Sequence, residues 1–109
     1  MTAADARDLV LAMPGITEHE HFDKAAYRGT LPNGKPSKIF MTLWIEDQRA
    51  VLLLDTEQQA ELHAHHPAVF FPVPNKWGDK GATFVELEQV APVLFRKAVE
   101  MAKRNAGVG

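Results

Sequence analysis

The sequence predicts an α+β fold: one domain, residues 1–109, in which an antiparallel sheet packs against helices in the order α-β-β-β-α-β-α. Apolar residues recur at helical spacing near both ends of the chain, and bulky residues alternate in segments between them. A glycine turn that contains a tryptophan, residues 75–81, leads into a further alternating segment, residues 82–87. The length of 109 residues is that of a single domain.

Composition excludes several classes of protein. The sequence contains no cysteine, so disulfides and thiolate zinc sites are excluded. No stretch approaches the roughly 20 apolar residues that a membrane span needs. The N-terminus carries charged residues where a signal peptide would be apolar. We therefore expect a cytoplasmic protein with no membrane partner.

The first predicted helix spans residues 2–13. Thr2 can cap its start, and Asp5 in the first turn suits the helix dipole. Pro14 and Gly15 end it. The spacing of its apolar residues predicts one buried helix face, formed by Ala6, Leu9, Val10 and Met13.

Residues 16–23 form a polar segment rich in histidine and carboxylate. In an extended conformation His19, His21 and Asp23 would share one face, and their side chains suit zinc, manganese or iron. A closed site needs further ligands, which His63 and His66 of a later helix could supply. Alternatively, these two histidines hydrogen-bond the free carbonyls at the end of their own helix. We predict no cofactor and no metal, with His19, His21 and Asp23 as the weak candidates for one.

Three strands are predicted to follow as a meander. The first spans residues 25–28, and the turn-rich residues 29–36 join it to the second, residues 37–45. Alternation places one set of side chains against the helices: Ile39, Met41, Leu43 and Ile45. The opposite face carries Lys38, Phe40, Thr42 and Trp44. Either another element or subunit covers Phe40 and Trp44, or these two residues form a binding platform.

The third strand, residues 49–54, is apolar throughout, which is typical of a central strand covered on both faces. Thr56 is predicted to cap a helix that Pro67 terminates, with Gln59 completing a capping box. Residues 69–74 are apolar but interrupted by proline, which predicts a packed strap. The last predicted helix spans residues 90–104, with Pro92 in its first turn.

The glycine turn allows two interpretations. Gly78 and Gly81 can adopt positive φ angles. Trp77 could then turn inward to fill the edge of the core. Alternatively, the turn amides together with Lys76 and Lys80 could hold a phosphate group.

Basic residues are concentrated in the first hairpin. Residues 24–45 contain four bases and no acid: Lys24, Arg28, Lys35 and Lys38. This charge would suit an anionic partner. The alternative is a solvated hairpin whose lysines discourage edge-to-edge pairing.

Several segments, taken in order, resemble the MmcQ/YjbR-like proteins. They are residues 11–18 (LAMPGITE), 24–28 (KAAYR), 38–43 (KIFMTL), and Trp77-Gly78 followed by residues 83–87 (TFVEL). The resemblance implies a small bacterial protein with a layout related to frataxin (CyaY), a DNA-binding role with a double-wing arrangement, and no enzymatic activity. Ala91 departs from the family pattern, because an aspartate usually stands there to cap the last helix.

DNA binding is therefore the first functional hypothesis. Phosphate contacts would come from the bases of the hairpin and of the glycine turn: Lys24, Arg28, Lys35, Lys38, Lys76 and Lys80. Three aromatic residues could stack on unpaired bases: Phe40, Trp44 and Trp77. The pI of about 6.2 counts against this hypothesis, since nucleic-acid-binding modules are usually basic.

Two alternatives remain open. One is a non-catalytic module that binds a protein or a small ligand in a groove walled by Phe70, Phe71, Pro72 and Trp77. The other is metal binding in the manner of frataxin. An enzyme is not predicted, because no nucleophile, base and orienting partner can be grouped from their spacing.

Overall fold

The computed structural model describes residues 1–108. The strands of this part of the chain are β1 Thr17–His21, β2 Lys24–Thr30, β3 Pro36–Trp44, β4 Arg49–Leu53, β5 Phe70–Pro72 and β6 Ala82–Glu86. Its helices are α1 Ala3–Leu11, α2 Thr56–His65, α3 Lys76–Asp79 and α4 Pro92–Asn105. All strands pair antiparallel in one sheet of order β1-β2-β3-β4-β6-β5.

The predicted α+β class and the order of the predicted elements are confirmed. Three short elements add to them. The polar segment forms β1, which extends the meander by pairing with β2 from Thr17–Arg28 to His21–Lys24. The strap forms β5 at the opposite edge of the sheet, and the glycine turn contains α3.

Helices α1, α2 and α4 pack on one face of the sheet. The core there includes side chains from four strands: Tyr27, Met41, Leu43, Leu52 and Val85. The opposite face carries a smaller cluster beneath the β5–β6 connection: Val51, Val73, Ala82 and Phe84. We call this second side, which bears Thr42, Trp44 and Val51, the open face. β4 is central, as predicted, but Leu53 is 39% exposed at its end.

A β-bulge reverses the predicted orientation of Phe40. Tyr27 pairs with Met41 and Arg28 pairs with Ile39, so Phe40 is left without a partner on β2. Phe40 therefore turns toward the helices and is fully buried, whereas Ile39 lies on the open face. Of the two alternatives for Phe40, coverage by another element is confirmed, and a role as binding platform or stacking residue is wrong. The predicted place of Ile39 in the core is wrong too, because strict alternation requires a regular strand.

Helix α2 begins one residue earlier than its predicted cap. The carboxylate of Asp55 accepts from the backbone N of Gln58 at 2.7 Å, and the Gln58 side chain accepts from the backbone N of Asp55 at 3.0 Å. The predicted capping box of Thr56 and Gln59 is therefore wrong. Gln58 therefore takes the capping position that was predicted for Gln59, and the Gln59 side chain is buried instead.

The other helix ends follow the sequence. Thr2 and Asp5 form a capping box at α1. Helix α4 begins at Pro92 after Ala91, which makes no side-chain capping bond. Ile45, predicted in the core, is 58% exposed because it lies beyond the end of β3. No helix within residues 1–108 is long and apolar enough to cross a membrane.

Candidate functional site

An apolar groove of about 270 Å³ lies on the open face, between the sheet and residues 73–77. We call it the sheet groove. Strands β3, β4 and β6 supply its floor: Ile39, Thr42, Val51, Leu53 and Ala82. Its remaining lining comes from His21, Trp44, Val73, Asn75 and Trp77. Residues distant in sequence therefore share one concave surface.

The groove wall depends on the short helix α3. Asn75 caps it, because its Oδ1 accepts from the backbone N of Trp77 at 2.8 Å and of Gly78 at 3.2 Å. Gly78 is buried so closely on the strap that a Cβ there would overlap the carbonyl oxygen of Val73. Gly81 adopts φ +117°, as predicted, whereas Gly78 lies within α3 and does not adopt a positive φ. This packing directs Trp77 outward, so its predicted burial at the core edge is wrong.

The Trp77 indole is 69% exposed. It lines the sheet groove and also a second concavity of about 170 Å³, whose other lining residues are Lys76 and Lys80. The Lys80 Nζ lies 6.0 Å from the centroid of the indole ring. One aromatic side chain therefore links an apolar surface to two ammonium groups.

Trp44 is held in place on several sides. Its Nε1 donates to Thr42 Oγ1 at 3.2 Å, and its ring meets the Phe84 ring edge-on, with centroids 5.1 Å apart. The Lys24 Nζ lies 4.8 Å from the centroid of the Trp44 ring, a cation–π contact. Because Lys24 covers this ring, Trp44 serves as a groove wall. Of the three predicted stacking residues, only Trp77 presents an open ring.

The six predicted phosphate-binding residues do not form one cluster. Arg28 lies on the open face, where its Nη1 donates to the carbonyl of Ser37 at 2.9 Å. Lys35 is exposed in the β2–β3 turn. Lys38 faces the last turn of α4, with which it lines a separate cavity of about 80 Å³. Three of the six basic residues therefore lie next to aromatic residues that line the groove: Lys24, Lys76 and Lys80.

Arg49 is a basic residue of the open face that the sequence did not single out. Its Nε donates to Glu86 Oε2 at 3.0 Å, and its guanidinium lies 5.3 Å and 5.2 Å from the Phe71 and Phe84 ring centroids. Since its charge is paired, Arg49 contributes packing rather than a free positive charge.

The candidate metal ligands do not converge. His19 and His21 lie on β1, and Asp23 lies in the turn that follows. His63 lies near β5, at the opposite edge of the sheet, where its Nδ1 is 2.7 Å from the carbonyl oxygen of Phe70. Within residues 1–108, no group of three or more His, Asp or Glu side chains could hold a metal ion.

A hydrogen-bonded network on the helix side anchors β1. Arg7 Nε donates to Glu18 Oε2 at 2.7 Å, and the Tyr27 hydroxyl donates to the same oxygen at 2.6 Å. These bonds, that of Arg7 first, lower the pKa of the Glu18 carboxyl. Burial, followed by the bond to Glu18, raises the pKa of the Tyr27 hydroxyl. The network therefore joins β1 to α1. The last residue of β1, His21, lines the groove.

Sequence reasoning missed two residues that shape the wall. Gln59 supports α3 from beneath, since its Nε2 donates to the carbonyls of Gly78 at 2.9 Å and Ala82 at 3.0 Å. Asn75 caps α3 and lines the groove. The preference of asparagine for helix N-caps was a usable signal for Asn75. No local signal marked Gln59, because its partners lie 19 and 23 residues away.

A scan against protein-family models and a search of curated proteins gave no match. Among solved structures, the chain is similar to the crystal structure of the Deinococcus radiodurans protein DR2400, which has a DUF419 domain. The TM-score is 0.65 and the identity 22%, over 93% of this chain and 72% of that one. The two chains share one fold. At this identity the likeness concerns the fold alone.

Proposed function

We propose that this protein binds single-stranded DNA on the open face of its sheet, without enzymatic activity. One observation carries the proposal: exposed Trp77 lines both the apolar sheet groove and the concavity formed with Lys76 and Lys80. An unpaired base can stack on an exposed indole. Neighbouring ammonium groups can contact the phosphates on either side of that base.

The local charge supports an anionic ligand although the chain has a net charge of -2. Trp44 and Trp77 both line the groove. Lys24 lies over the Trp44 ring, and Lys76 and Lys80 lie next to Trp77. The charge of Arg49 is neutralised by Glu86 and does not contribute. Because the whole molecule is weakly acidic, the attraction to DNA depends on these three lysines. Salt readily screens this attraction.

The shape of the open face favours a single strand over a duplex. The helix on this face, α3, has four residues, which is too short to fill a major groove. The sheet groove, at about 270 Å³, is slightly smaller than the roughly 300–1,000 Å³ of ligand pockets and suits one flat ring. A paired base cannot reach such a groove, whereas a base of a single strand can.

We also propose that the chain is an MmcQ/YjbR-like protein. The support is the ordered set of similar segments and the α+β layout, both described above. In this proposal the β2–β3 hairpin, with Lys35 at its turn, is one basic lobe, and the α3 turn is the second. The DNA-binding role that the resemblance implies is then carried by the open face.

Fluorescence anisotropy tests the proposal. A labelled single strand and the matching duplex are titrated at about 50 and 200 mM salt. Three phosphate contacts predict that the affinity for the single strand falls about 20-fold over this range. Trp77→Ala should weaken binding by about 5- to 150-fold, since base stacking on an aromatic ring is worth about 1–3 kcal/mol.

The double variant Lys76→Ala/Lys80→Ala should weaken binding and flatten the salt dependence, because two phosphate contacts are lost. Lys97→Ala, on the exposed side of α4, is the matched control and should bind as the wild type does. Absence of single-strand binding at 50 mM salt would contradict the proposal. So would tighter binding of the duplex, or full affinity in the Trp77→Ala variant.

The lining of the sheet groove favours a second candidate function. Its floor is mostly apolar, as in sites that bind a small molecule or an apolar side chain of a partner protein. In that case neutral aromatic compounds should raise the Tm equally at low and high salt, since burial of apolar surface involves no charged contact. DNA would then fail to bind at either salt concentration.

A further inference from the structure

We infer that the sheet groove selects thymine among the bases of a single strand, because Asn75 and Thr42 each offer it a hydrogen-bond donor and its floor is apolar. This inference rests on the function proposed above and names the base that occupies the groove. Thymine offers two carbonyl acceptors and one methyl group. The evidence comes from two polar residues of the groove lining, Asn75 and Thr42.

The orientation of the Asn75 amide follows from its capping bonds. Its Oδ1 accepts two backbone N–H groups, from Trp77 and Gly78. An amide nitrogen cannot accept these bonds, so the oxygen points to the helix and Nδ2 points away from it. Within residues 1–108 no hydrogen-bond acceptor is paired with this Nδ2. Asn75 therefore offers the groove the N–H groups of Nδ2 as donors, while its Oδ1 is already engaged by the two capping bonds.

The role of the Thr42 hydroxyl is set in the same way. The Trp44 indole Nε1–H can only donate, so Thr42 Oγ1 is the acceptor of their 3.2 Å bond. The hydroxyl proton of Thr42 is then left to donate to a ligand. Two donors from different elements, β3 and the α3 cap, consequently line one groove.

The apolar floor completes the match to thymine. Ile39, Val51, Leu53 and Ala82 present only hydrocarbon to a bound ring. The C5 methyl of thymine can pack against such a surface, whereas the exocyclic amino group of cytosine would lose its water there without a partner. A base that carries carbonyls and a methyl therefore fits both the polar and the apolar parts of the lining.

Anisotropy titrations of labelled oligo-dT, oligo-dC and oligo-dU of equal length, at about 50 mM salt, test the inference. These strands match in ring size and in phosphate number. We expect oligo-dT to bind about fivefold more tightly than oligo-dC. Thymine gains one hydrogen bond through its second carbonyl, and cytosine would have to bury its exocyclic amino group. Oligo-dT should bind about fourfold more tightly than oligo-dU, the contribution of one buried methyl group.

Two variants connect this preference to the named donors. Thr42→Val removes the hydroxyl and keeps the shape, and Thr42→Ser is its control because it retains the hydroxyl. Asn75→Asp retains the capping oxygen and removes the amide donor. We expect Thr42→Val and Asn75→Asp each to lower the dT-over-dC ratio, the two changes together to bring it near one, and Thr42→Ser to preserve it. The Tm of each variant shows whether it is folded.

The outcomes separate the inference from the function on which it rests. Equal binding of the three strands by the wild type would overturn thymine selection and leave single-strand binding intact. An undiminished dT preference in both Thr42→Val and Asn75→Asp would also overturn it. If no strand binds at all, the proposed function fails and the inference fails with it.

Discussion

The side-chain Nε2 of Gln59 donates to the backbone carbonyl of Gly78 at 2.9 Å, which joins the middle of α2 to the helix that forms the groove wall. The same nitrogen donates to the carbonyl of Ala82 at 3.0 Å, at the start of β6. Gln59 is buried, so both bonds are shielded from water. One amide therefore sets the position of α3, and with it Trp77, relative to the sheet.

Replacing Gln59 with leucine should leave two buried carbonyls without a donor. We expect the free energy of unfolding to fall by about 2 kcal/mol, within the range for buried groups that lose a hydrogen bond. Urea unfolding followed by circular dichroism measures the change. Glu61→Gln, at an exposed position of the same helix, is the control and should change stability by less than about 0.5 kcal/mol. Equal stabilities of the two variants would show that Gln59 does not hold α3.

The β-bulge predicts opposite consequences for two adjacent residues. Phe40→Ala removes a fully buried ring and should lower the free energy of unfolding by about 3–5 kcal/mol. Ile39→Ala acts at a half-exposed position of the open face and should lower it by only about 1 kcal/mol. Denaturant titrations of the two variants make the comparison directly. A larger loss for Ile39→Ala would mean that β3 alternates regularly and that the bulge is absent.

Gly78 is required by close packing. Gly78→Ala would place a methyl group on the carbonyl of Val73, so α3 would have to move, and we expect a loss of about 3–5 kcal/mol. Gly34→Ala is the matched control: it has φ +83° and no neighbouring atom in the way, so it should lose only about 1 kcal/mol from backbone strain. Thermal unfolding distinguishes them. Comparable Tm values would contradict the close contact between α3 and the strap.

The network around Glu18 predicts a pH dependence. Its pKa is lowered in the folded protein, from the ordinary value of 4.5, by hydrogen bonds from Arg7 and Tyr27. A lowered folded-state pKa stabilises the fold above the unfolded-state pKa, and this stabilisation is lost as the pH falls through the folded-state pKa. The wild type should therefore lose more stability between about pH 5 and pH 2 than Glu18→Gln does.

Tyr27→Phe removes one of the two donors and should give an intermediate pH profile, while the bond from Arg7 remains. Urea titrations at a series of pH values measure the three profiles. Superimposable curves for the wild type and Glu18→Gln would show that this carboxylate makes no pH-dependent contribution to folding.

Local sequence signals predicted the helix ends that depend only on neighbouring residues. The capping box of Thr2 and Asp5 lies within a single helical turn, and Pro92 begins α4 as expected for its restricted φ. The α2 cap shows the limit of such signals. Asp55 and Thr56 are both acceptable caps, and each has a glutamine three residues further on, so the local pattern does not choose between them. With Asp55 as the cap, Gln58 makes the capping bonds and Gln59 is buried.

The candidate site was only partly predictable for the same reason. The concentration of bases in residues 24–45 was visible, but the chain separates them: Lys24 lies over Trp44, and Lys38 faces α4. Trp77 was recognised as a notable residue, yet its outward direction depends on how Gly78 packs against the strap. Asn75 and Thr42 line one groove only because α3 folds back over the sheet.

The sequence by itself determined the α+β class, the order of the main elements and the absence of thiolate chemistry, because periodicity, turn residues and composition act over a few neighbouring positions. Tertiary structure decided the face on which Phe40 and Ile39 lie, the exposure of Trp77 and the lining of the sheet groove. These depend on a register shift between strands and on hydrogen bonds such as that from Gln59 to Gly78, between residues that only the folded chain brings together.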